Sequence, residues 1–282
     1  MQYLVTGANG QLGTELSKMI DDRGLNYWGY DAKDMDITNR DLVFDKIRDL
    51  KPDVIFHCAA YTAVDPAEDD GKALNWQVNV DGTKNVADAA AEVGATLVYI
   101  STDYVFDGTN EGEYQVDDAT NPQNEYGRAK LAGENAVRAA SDNYYIIRTS
   151  WVFGEYGKNF VYTMLNLAKT HDTLTVVNDQ VGRPTWTNTL AQFMLHVVQN
   201  QATFGTYQLS NDDSCTWYEF AREILKDTDT KVLPVTSAQY PQKAKRPAHS
   251  IMSLDKAKAT GFVVPTWEEA LKTFLVLLED SK

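Results

Sequence analysis

The sequence predicts an α/β protein, in which a doubly wound parallel sheet carries helices on both faces and a smaller C-terminal lobe follows. The first half of the 282 residues alternates short apolar runs with amphipathic stretches, which is the pattern of repeated strand–helix units. The apolar runs, for example "DVIFHCAA", are continuous rather than alternating, as expected of parallel strands buried on both faces. A glycine-rich turn joins the first run to the first amphipathic stretch.

Strands and helices alternate up to about residue 150. Strands are predicted where short runs are apolar and rich in β-branched or aromatic residues, over 2–6, 26–30, 53–60, 96–102 and 144–150. Helices are predicted where apolar residues recur on one face or where a cap-type residue precedes such a run, over 11–24, 38–52, 72–94 and from about residue 126.

After about residue 150, strand and helix patterns no longer alternate regularly. Helical patterns at 159–169, 188–199 and 217–227 are separated by Pro, Asp and Asn clusters, and a last amphipathic helix is predicted over 266–280. A basic, proline-bearing loop covers 237–250. We therefore predict one domain over 1–150 and a lobe mainly over 151–282, part of which can cross back to the sheet. No clean linker marks the boundary, so the two should form one compact unit.

Composition excludes several classes of partner. The net charge of −14 repels nucleic acids and anionic membrane surfaces, so neither is expected to bind. Two cysteines are too few for a disulfide scaffold and fit a reducing compartment. No apolar stretch is long enough to span a bilayer. Because the N-terminus also lacks a basic n-region and a cleavage-site pattern, a cytoplasmic protein is expected.

The glycine turn "TGANGQLG" places Gly7, Gly10 and Gly13 between the first strand and the first helix. Glycines there let the backbone approach a diphosphate, while the amides at the helix N-terminus face the anion. This favours a Rossmann-type dinucleotide site over a turn with packing glycines. Asp31, at the end of the second strand, can accept hydrogen bonds from an adenosine ribose and leans toward NADH, although Lys33 can offset its repulsion of a 2′-phosphate. A solvated loop acid is the alternative.

Tyr126 and Lys130 stand four residues apart at the start of a predicted helix and therefore share one helix face. A nearby ammonium, together with the positive ring of an oxidised nicotinamide, favours the phenolate and makes the phenol a usable proton donor or acceptor. Ser101 and Thr102 end the fourth strand, at the edge where open α/β sheets bind ligands. Taken singly, the Tyr126–Lys130 spacing and the Ser101–Thr102 strand end can each occur by chance. Together with the glycine turn they predict a site that reduces a carbonyl.

The chain resembles the extended short-chain dehydrogenases/reductases and, within them, the family of dTDP-4-dehydrorhamnose reductases. The resemblance runs nearly end to end through "TGANGQLG", "PDVIFHCAAYTAVDPAE", "STDYVFDG", "YGRAKLAGE", "IIRTSWVFG", "NFVYTML", "NDQVGRPT" and "KRPAHS". It implies that the C4 ketone of dTDP-4-dehydro-6-deoxy-L-mannose is reduced by NADH or NADPH to dTDP-L-rhamnose, for cell-surface polysaccharide synthesis. The expected partner is this dTDP-sugar, and the expected state is a monomer or homodimer.

The resemblance also assigns residues to roles. The catalytic triad would be Thr102, Tyr126 and Lys130, of which Tyr126 and Lys130 would also contact the cofactor. The remaining cofactor contacts would be Gly7, Gly10, Gln11, Leu12 and Gly13 at the diphosphate, Asp31, Asp36 and Ile37 at the adenosine, and Ala60, Tyr61 and Thr62 after the third strand. Sugar-nucleotide contacts would come from Thr102, Asp103 and Trp151.

Further substrate contacts are predicted from side-chain chemistry. Arg246 stands in the basic loop of an acidic protein, and a bidentate guanidinium suits a diphosphate. Arg183 in "QVGRPT" is a second candidate for the diphosphate. Trp151 could stack on the sugar, and Asn159 could hydrogen-bond to substrate. The alternatives are a solvated basic loop for Arg246 and a core position for Trp151.

Some members of the family pair through a metal site built from acidic residues. Glu15 is present here, but Thr187 and Asn188 stand where carboxylates would be needed, so no metal is predicted. Two other functions stay open. A related reductase or epimerase, such as a UDP-galactose epimerase or a GDP-fucose synthase, would share fold and triad. A non-catalytic regulatory subunit of methionine adenosyltransferase has a similar fold, although an intact triad argues against it.

Overall fold

The computed structural model describes residues 1–280 and has a six-stranded parallel sheet at its centre. The strands are β1 (Gln2–Thr6), β2 (Asn26–Tyr30), β3 (Val54–His57), β4 (Thr96–Thr102), β5 (Tyr144–Thr149), β6 (Val152–Phe153), β7 (Thr173–Val177), β8 (Val181–Gly182), β9 (Thr185–Trp186), β10 (Gly205–Gln208), β11 (Cys215–Thr216) and β12 (Lys231–Val235). The helices are α1 (Gln11–Asp22), α2 (Arg40–Leu50), α3 (Lys72–Trp76), α4 (Thr83–Val93), α5 (Glu125–Ala140), α6 (Phe160–Ala168), α7 (Thr187–Gln199), α8 (Trp217–Ile224), α9 (Asp255–Lys258) and α10 (Trp267–Asp280).

The strand order of the large sheet is β2-β1-β3-β4-β5-β10, and every neighbouring pair is parallel. The predicted parallel α/β fold is therefore confirmed. The chain moves from β1 to β2 on one side and then to β3 on the other side of β1. In open α/β sheets a ligand binds at such a reversal, outside the carboxyl ends of the strands. This edge of the sheet is where β1, β3 and β4 deliver the predicted site residues.

Two hydrophobic layers cover the sheet. One contains Leu16 and Ile20 of α1 with Phe193 and Val197 of α7, and the other contains residues of α2, α4 and α5, such as Val86. Both layers exclude water from the continuous apolar strands, which explains why these strands do not alternate.

Residues after 150 build a lobe and also return to the sheet. Three small strand pairs, β6 with β9, β7 with β12 and β8 with β11, surround a separate core that includes Phe153, Phe220 and Phe274. In contrast, β10 pairs with β5 in the large sheet, with Gly205 opposite Tyr145. The chain thus crosses back as the sequence allowed, while the division into domains at residue 150 stays a prediction.

The helix predicted over 72–94 is interrupted. It consists of α3, a π-helical segment over Gln77–Gly82, and α4, which ends at Gly94 with φ of 74°. In the wider segment, the Asn79 side chain donates to the backbone oxygen of Tyr61 (2.9 Å) and accepts from its amide (3.1 Å). The π-helical segment therefore anchors the loop that follows β3, which a uniform 3.6-residue pattern did not predict.

Among the helices of residues 1–280, none has both the length and the apolar character that crossing a membrane requires.

Candidate active site

The turn after β1 requires glycine at two positions. Gly7 has φ of 65°, and a Cβ atom there would lie 2.7 Å from the Cα atom of Ala59. A Cβ atom at Gly13 would lie 2.1 Å from the carbonyl oxygen of Gly7. Gly10, the residue before α1, has no side chain to cap the helix, so the first amides of α1 are open to an anion. These features fit a dinucleotide diphosphate.

A cavity of about 290 Å³ extends from this turn along the carboxyl ends of β1, β2 and β3. Its walls contain most of the predicted cofactor residues, namely Gly7, Gly10, Asp31, Asp36, Ile37, Ala60 and Tyr61. Sequence reasoning missed Ala32, Met35, Thr38, Cys58, Ala59 and Val78, which complete the walls. No short motif marks these small and apolar residues, because only the packing of three strand ends brings them together.

Three residues predicted to contact the cofactor, Gln11, Leu12 and Thr62, do not line this cavity. Leu12 packs against the core beneath α1, and Thr62 is exposed. Gln11 connects the glycine turn to the lobe, since its Oε1 atom accepts from Nδ2 of Asn159 (3.0 Å) and its Nε2 atom donates to the carbonyl oxygen of Val152 (3.5 Å).

Two acidic residues that the sequence predicts to contact the adenosine lie in the wall of this cavity. The carboxylate of Asp31 accepts a hydrogen bond from Nδ2 of Asn9 (3.2 Å). The carboxylate of Asp36 accepts from the amide and the hydroxyl of Thr38 (2.9 and 2.8 Å), so Asp36 also holds the loop in shape. Both lie in the cavity wall.

Tyr126 lies in the first turn of α5, whose start is capped by the Asn124 side chain accepting from the amide of Gly127 (2.7 Å). The half-buried Tyr126 ring stands edge-on to Tyr104 at 5.6 Å. Burial raises the pKa of Tyr126 above its usual value, the Asp103 carboxylate adds to this, and a hydrogen bond with Thr102 opposes it. The phenol is therefore protonated in the free protein. That Lys130 together with an oxidised nicotinamide ring favours the phenolate stays a prediction.

Lys130 is almost fully buried one turn further along α5, with 2% of its surface exposed. Its Nζ atom lies 4.2 Å from the centroid of the Tyr99 ring. Burial lowers the pKa of Lys130 to about 7, against an opposing effect of the Glu134 carboxylate. The lysine is consequently close to its titration midpoint at neutral pH.

Thr102 and Asp103 occupy the end of β4 beside these residues. The Thr102 hydroxyl donates to Oδ1 of Asp103 (2.9 Å) and accepts from the amide of Tyr104 (3.2 Å). Burial raises the pKa of Asp103 to about 6, and the nearby hydroxyls of Ser250 and Thr102 oppose this shift. Within the described residues, the buried Oδ2 atom of Asp103 has no hydrogen-bond partner. An unsatisfied buried acceptor is costly, so this atom is a natural contact for a ligand hydroxyl.

A second cavity, of about 440 Å³, opens between Tyr104 and the lobe. Its walls are largely apolar and come from Phe160, Met164, Leu167, Leu174, Val176, Val177 and Trp217, with Thr163, Thr175, Gln180, Tyr240, Gln242 and Arg246 also lining it. A flat apolar group fits such walls, while the guanidinium adds one cation. We call this cavity the lobe cleft.

Arg246, which the sequence predicts to bind substrate, lies in the wall of the lobe cleft. Its Nη1 atom donates to the hydroxyl of Tyr104 (2.7 Å), and its Nη2 atom donates to Oδ2 of Asp65 (2.8 Å). Its Nε atom contacts Oε1 of Gln242. In the free protein the charge of Arg246 is thus paired with a carboxylate that a bound anion would have to share or displace.

Five of the six predicted substrate residues lie outside the walls of the lobe cleft, namely Thr102 and Asp103, described above, and Trp151, Arg183 and Asn159. Trp151 stacks on Trp217 with ring centroids 3.7 Å apart, so Trp217 forms the wall and Trp151 supports it. Arg183 donates to the carbonyl oxygen of Met252 (2.6 Å) and to Glu113 (2.7 Å). Asn159 caps α6 by accepting from the amide of Tyr162 (3.2 Å). The structure therefore gives Trp151, Arg183 and Asn159 a role in supporting the fold.

Tyr104, Asp65 and Trp217 were missed in the sequence although they join or line the site. Tyr104 directly follows the "STD" strand end, which is a signal that could have identified it. Asp65 and Trp217 carry no local signal, because their contacts with Arg246 and Trp151 span 181 and 66 residues of chain (246 − 65 and 217 − 151).

Glu15 contacts Thr187 and Asn188, which stand where a metal site between two subunits would need carboxylates. Its Oε1 atom accepts from Nδ2 of Asn188 (2.8 Å), and Oε2 accepts from the Thr187 hydroxyl (3.4 Å). Burial raises the pKa of Glu15 to about 7, and the neighbouring carboxyl of Glu155 adds to the shift. Residues 1–280 contain no group of three or more His, Cys, Asp or Glu side chains placed to hold a metal.

Comparison with known proteins shows the family to which the chain belongs. Residues 1–279 match the family model described as the RmlD substrate binding domain. A dTDP-4-dehydrorhamnose reductase from Aggregatibacter actinomycetemcomitans is 40% identical over 99% of both chains. The crystal structure of such a reductase from Clostridium acetobutylicum is 44% identical, with a TM-score of 0.96 over 99% of this chain and 100% of the other. The Bacillus anthracis reductase, solved in complex with NADP, is 40% identical, with a TM-score of 0.94 over 98% of each chain.

Proposed function

The chain belongs to the RmlD substrate-binding domain family and resembles dTDP-4-dehydrorhamnose reductases over its full length, and on this premise we propose how its site works. The protein is an NAD(P)H-dependent oxidoreductase that reduces the C4 ketone of dTDP-4-dehydro-6-deoxy-L-mannose to dTDP-L-rhamnose. The product serves cell-surface polysaccharide synthesis. The assignments of single residues that follow are proposals, and they rest on the two cavities and on the cluster between them.

The glycine turn and the cavity of about 290 Å³ are suited to the cofactor. The open amides of α1 would bind the diphosphate, and Asp31 would accept hydrogen bonds from the adenosine ribose. Ala60 and Tyr61 would flank the cofactor after β3, and Lys130 would hold the nicotinamide ribose. When bound, the reduced nicotinamide supplies a hydride.

Tyr126 is the proposed proton donor. Because burial keeps its pKa above the usual value, the phenol is protonated at neutral pH and can deliver a proton to the C4 oxygen as negative charge develops there. Thr102 would donate its hydroxyl hydrogen to the same oxygen, for which it must release Asp103. The unpartnered Oδ2 atom of Asp103 would accept from a sugar hydroxyl and so orient the ring.

The remainder of the substrate fits the lobe cleft. Arg246 would bind the diphosphate of the sugar nucleotide, since a guanidinium forms paired hydrogen bonds with phosphate oxygens. Trp217 and Phe160, in the apolar wall, would contact the flat nucleobase. Tyr104 connects Arg246 in the lobe cleft with Tyr126, because its hydroxyl accepts a hydrogen bond from Arg246 and its ring lies against Tyr126.

The observation that carries the proposal is the placement of Tyr126. The phenol ring lies edge-on to Tyr104, a residue in the wall of the lobe cleft. Thr102 and Asp103 shift the pKa of the phenol in opposite directions. A binding subunit without catalysis would have no need for a phenol beside these groups.

The decisive experiment is a coupled assay. The keto-sugar dTDP-4-keto-6-deoxy-L-lyxo-hexulose is generated in place, and the loss of reduced nicotinamide absorbance is followed with NADH and NADPH separately. We expect consumption of at least one cofactor with formation of dTDP-L-rhamnose. An epimerase would instead contain tightly bound NAD after purification and would not consume cofactor. No consumption with either cofactor, in protein that binds both, would exclude the reductase function.

We also propose a cytoplasmic location and a monomeric or homodimeric state. Both cysteines, Cys58 and Cys215, are free thiols, as expected in a reducing compartment.

A further inference from the structure

Lys130 lies in surroundings that disfavour its charge. The ring of Tyr99 covers its Nζ atom at 4.2 Å. His57 of β3 is buried with its pKa lowered to about 3 by burial and by Lys130 itself, so it is neutral. Burial raises the pKa of the Cys58 thiol to about 12, so this group is neutral too. Among the groups of residues 1–280 that influence Lys130, only Glu134 contributes a negative charge at neutral pH.

Glu134 is one helical turn beyond Lys130 on the same face of α5. Among the ion pairs of residues 1–280 none within 4.0 Å joins the two side chains, so the carboxylate acts on the ammonium through space. Glu134 is fully buried, with 0% of its surface exposed. Tyr126, Lys130 and Glu134 thus form one row along the helix, with the phenol at the site and the carboxylate beneath it.

Two arginines keep Glu134 ionised in this buried position. Arg148 of β5 binds it in a bidentate manner, with Nε to Oε1 and Nη2 to Oε2 both at 2.9 Å. Nη2 of Arg138 adds a contact to Oε2 at 2.7 Å. Burial alone would raise the pKa of Glu134, but these contacts outweigh it and hold the pKa below its usual value.

The arginines have further partners of their own. Nη1 of Arg148 donates to the carbonyl oxygen of Val116 (3.0 Å), and its guanidinium lies over the Phe106 ring. Nη2 of Arg138 also contacts the hydroxyl of Thr206 (3.2 Å). The cluster is therefore fixed from β5, β10 and the loop near 116, so the carboxylate has little freedom to move.

We propose that Glu134, fixed by Arg148, is a positioning residue whose carboxylate keeps Lys130 in its ammonium form during the reaction. It acts through Lys130 and has no contact with substrate. The inference rests on the proposed function, which gives the Lys130 ammonium its task of holding the nicotinamide ribose and favouring proton release from Tyr126. A purely structural ion pair would stabilise the fold without affecting the charge of the lysine.

The test measures the titration of Lys130 in the free protein by NMR of ¹³C-labelled lysine side chains, with the resonance assigned through Lys130→Met. Wild-type Lys130 is expected to titrate near pH 7. Glu134→Gln should move the midpoint down by about one pH unit, because it removes a buried negative charge and leaves the guanidinium groups of Arg148 and Arg138 without their carboxylate. The limb of kcat/KM at high pH should move by the same amount, which lowers activity at pH 8 about tenfold.

Glu92→Gln is the matched control. Glu92 is also held in a bidentate manner by an arginine, Arg48, at 2.6 and 3.1 Å, but it lies on α4, away from the site. This variant should leave the Lys130 midpoint unchanged. Should Glu134→Gln not fold, Glu134→Asp decides, because withdrawing the carboxylate by one methylene must lower the midpoint by a smaller amount.

An unchanged Lys130 midpoint in folded Glu134→Gln, or in Glu134→Asp where only that variant folds, overturns the proposal. The NMR titration needs neither substrate nor turnover. Failure of the keto-sugar assay would therefore refute the assigned reaction without affecting the titration result. An unchanged Lys130 midpoint would in turn refute the role of Glu134 without affecting the assigned reaction.

Discussion

Replacement of Tyr126 by Phe removes one oxygen atom and leaves the rest of the site in place. The ring can keep its edge-on contact with Tyr104, at 5.6 Å. Thr102 keeps its acceptor on Asp103, at 2.9 Å, so the substitution leaves no buried donor of that pair unsatisfied. We therefore expect a change in unfolding free energy of less than about 1 kcal/mol.

The expected effect on catalysis is much larger. Loss of a positioned general acid lowers kcat by about 100- to 10,000-fold, which corresponds to an increase of about 3–5 kcal/mol in the activation free energy. The affinity for NADPH should change by less than about threefold, because only one hydroxyl near the nicotinamide end is lost.

The assay combines three measurements on Tyr126→Phe and wild type. Steady-state loss of reduced cofactor in the coupled assay gives kcat, quenching of protein fluorescence gives the NADPH dissociation constant, and thermal unfolding gives stability. If Tyr126→Phe retains more than about a tenth of wild-type kcat, the phenol is not the proton donor. If cofactor affinity collapses together with kcat, its main role is binding.

Three further perturbations test other parts of the site. Arg246→Ala should raise KM for the sugar nucleotide about 10- to 100-fold with a small change in kcat, because a charge-assisted contact is lost. An unchanged KM would show that Arg246 does not bind the diphosphate. Asp31→Asn should increase the NADPH/NADH ratio of kcat/KM up to about fivefold, as expected for a partly exposed charge, and an unchanged ratio would contradict the assigned ribose contact. The pKa of Glu15 is raised in the folded protein to about 7, so the folded state binds more protons and wild-type stability should fall as pH rises from about 4.5 to 7. In chemical denaturation, Glu15→Gln should reduce that fall by about 1–3 kcal/mol, and identical pH slopes would contradict the shift.

Most of the fold could be predicted because its signals are local. The strands β1, β2 and β4 were predicted with the bounds that the structure has, since each is a short apolar run next to a glycine or a polar turn. The break at Gln77–Gly82 was not predicted, because the sequence there is amphipathic throughout. What widens the helix is a tertiary contact, the pairing of Asn79 with the backbone of Tyr61.

Those parts of the site that lie within one helix or turn could be predicted from the sequence, and those formed by distant residues could not. The glycine turn and the Tyr126–Lys130 spacing each lie within one element, so their residues share a surface by geometry alone. The substrate contacts of Arg183 and Asn159 were predicted from side-chain chemistry and stay predictions, and in the free protein both side chains have partners such as Glu113 and the amide of Tyr162. Whether a polar side chain is free to bind a ligand depends on distant partners.

The amino-acid sequence by itself determined the order of strands and helices, the glycine turn and the shared helix face of Tyr126 and Lys130, because backbone periodicity decides which neighbours share a face. Only the tertiary structure decided the charge states of these two residues and the partners of Arg246. Burial removes solvation from Lys130 and Tyr126, and the carboxylate paired with Arg246 comes from Asp65, far away in the chain. A pKa depends on the whole surrounding volume, which forms only when distant segments pack together.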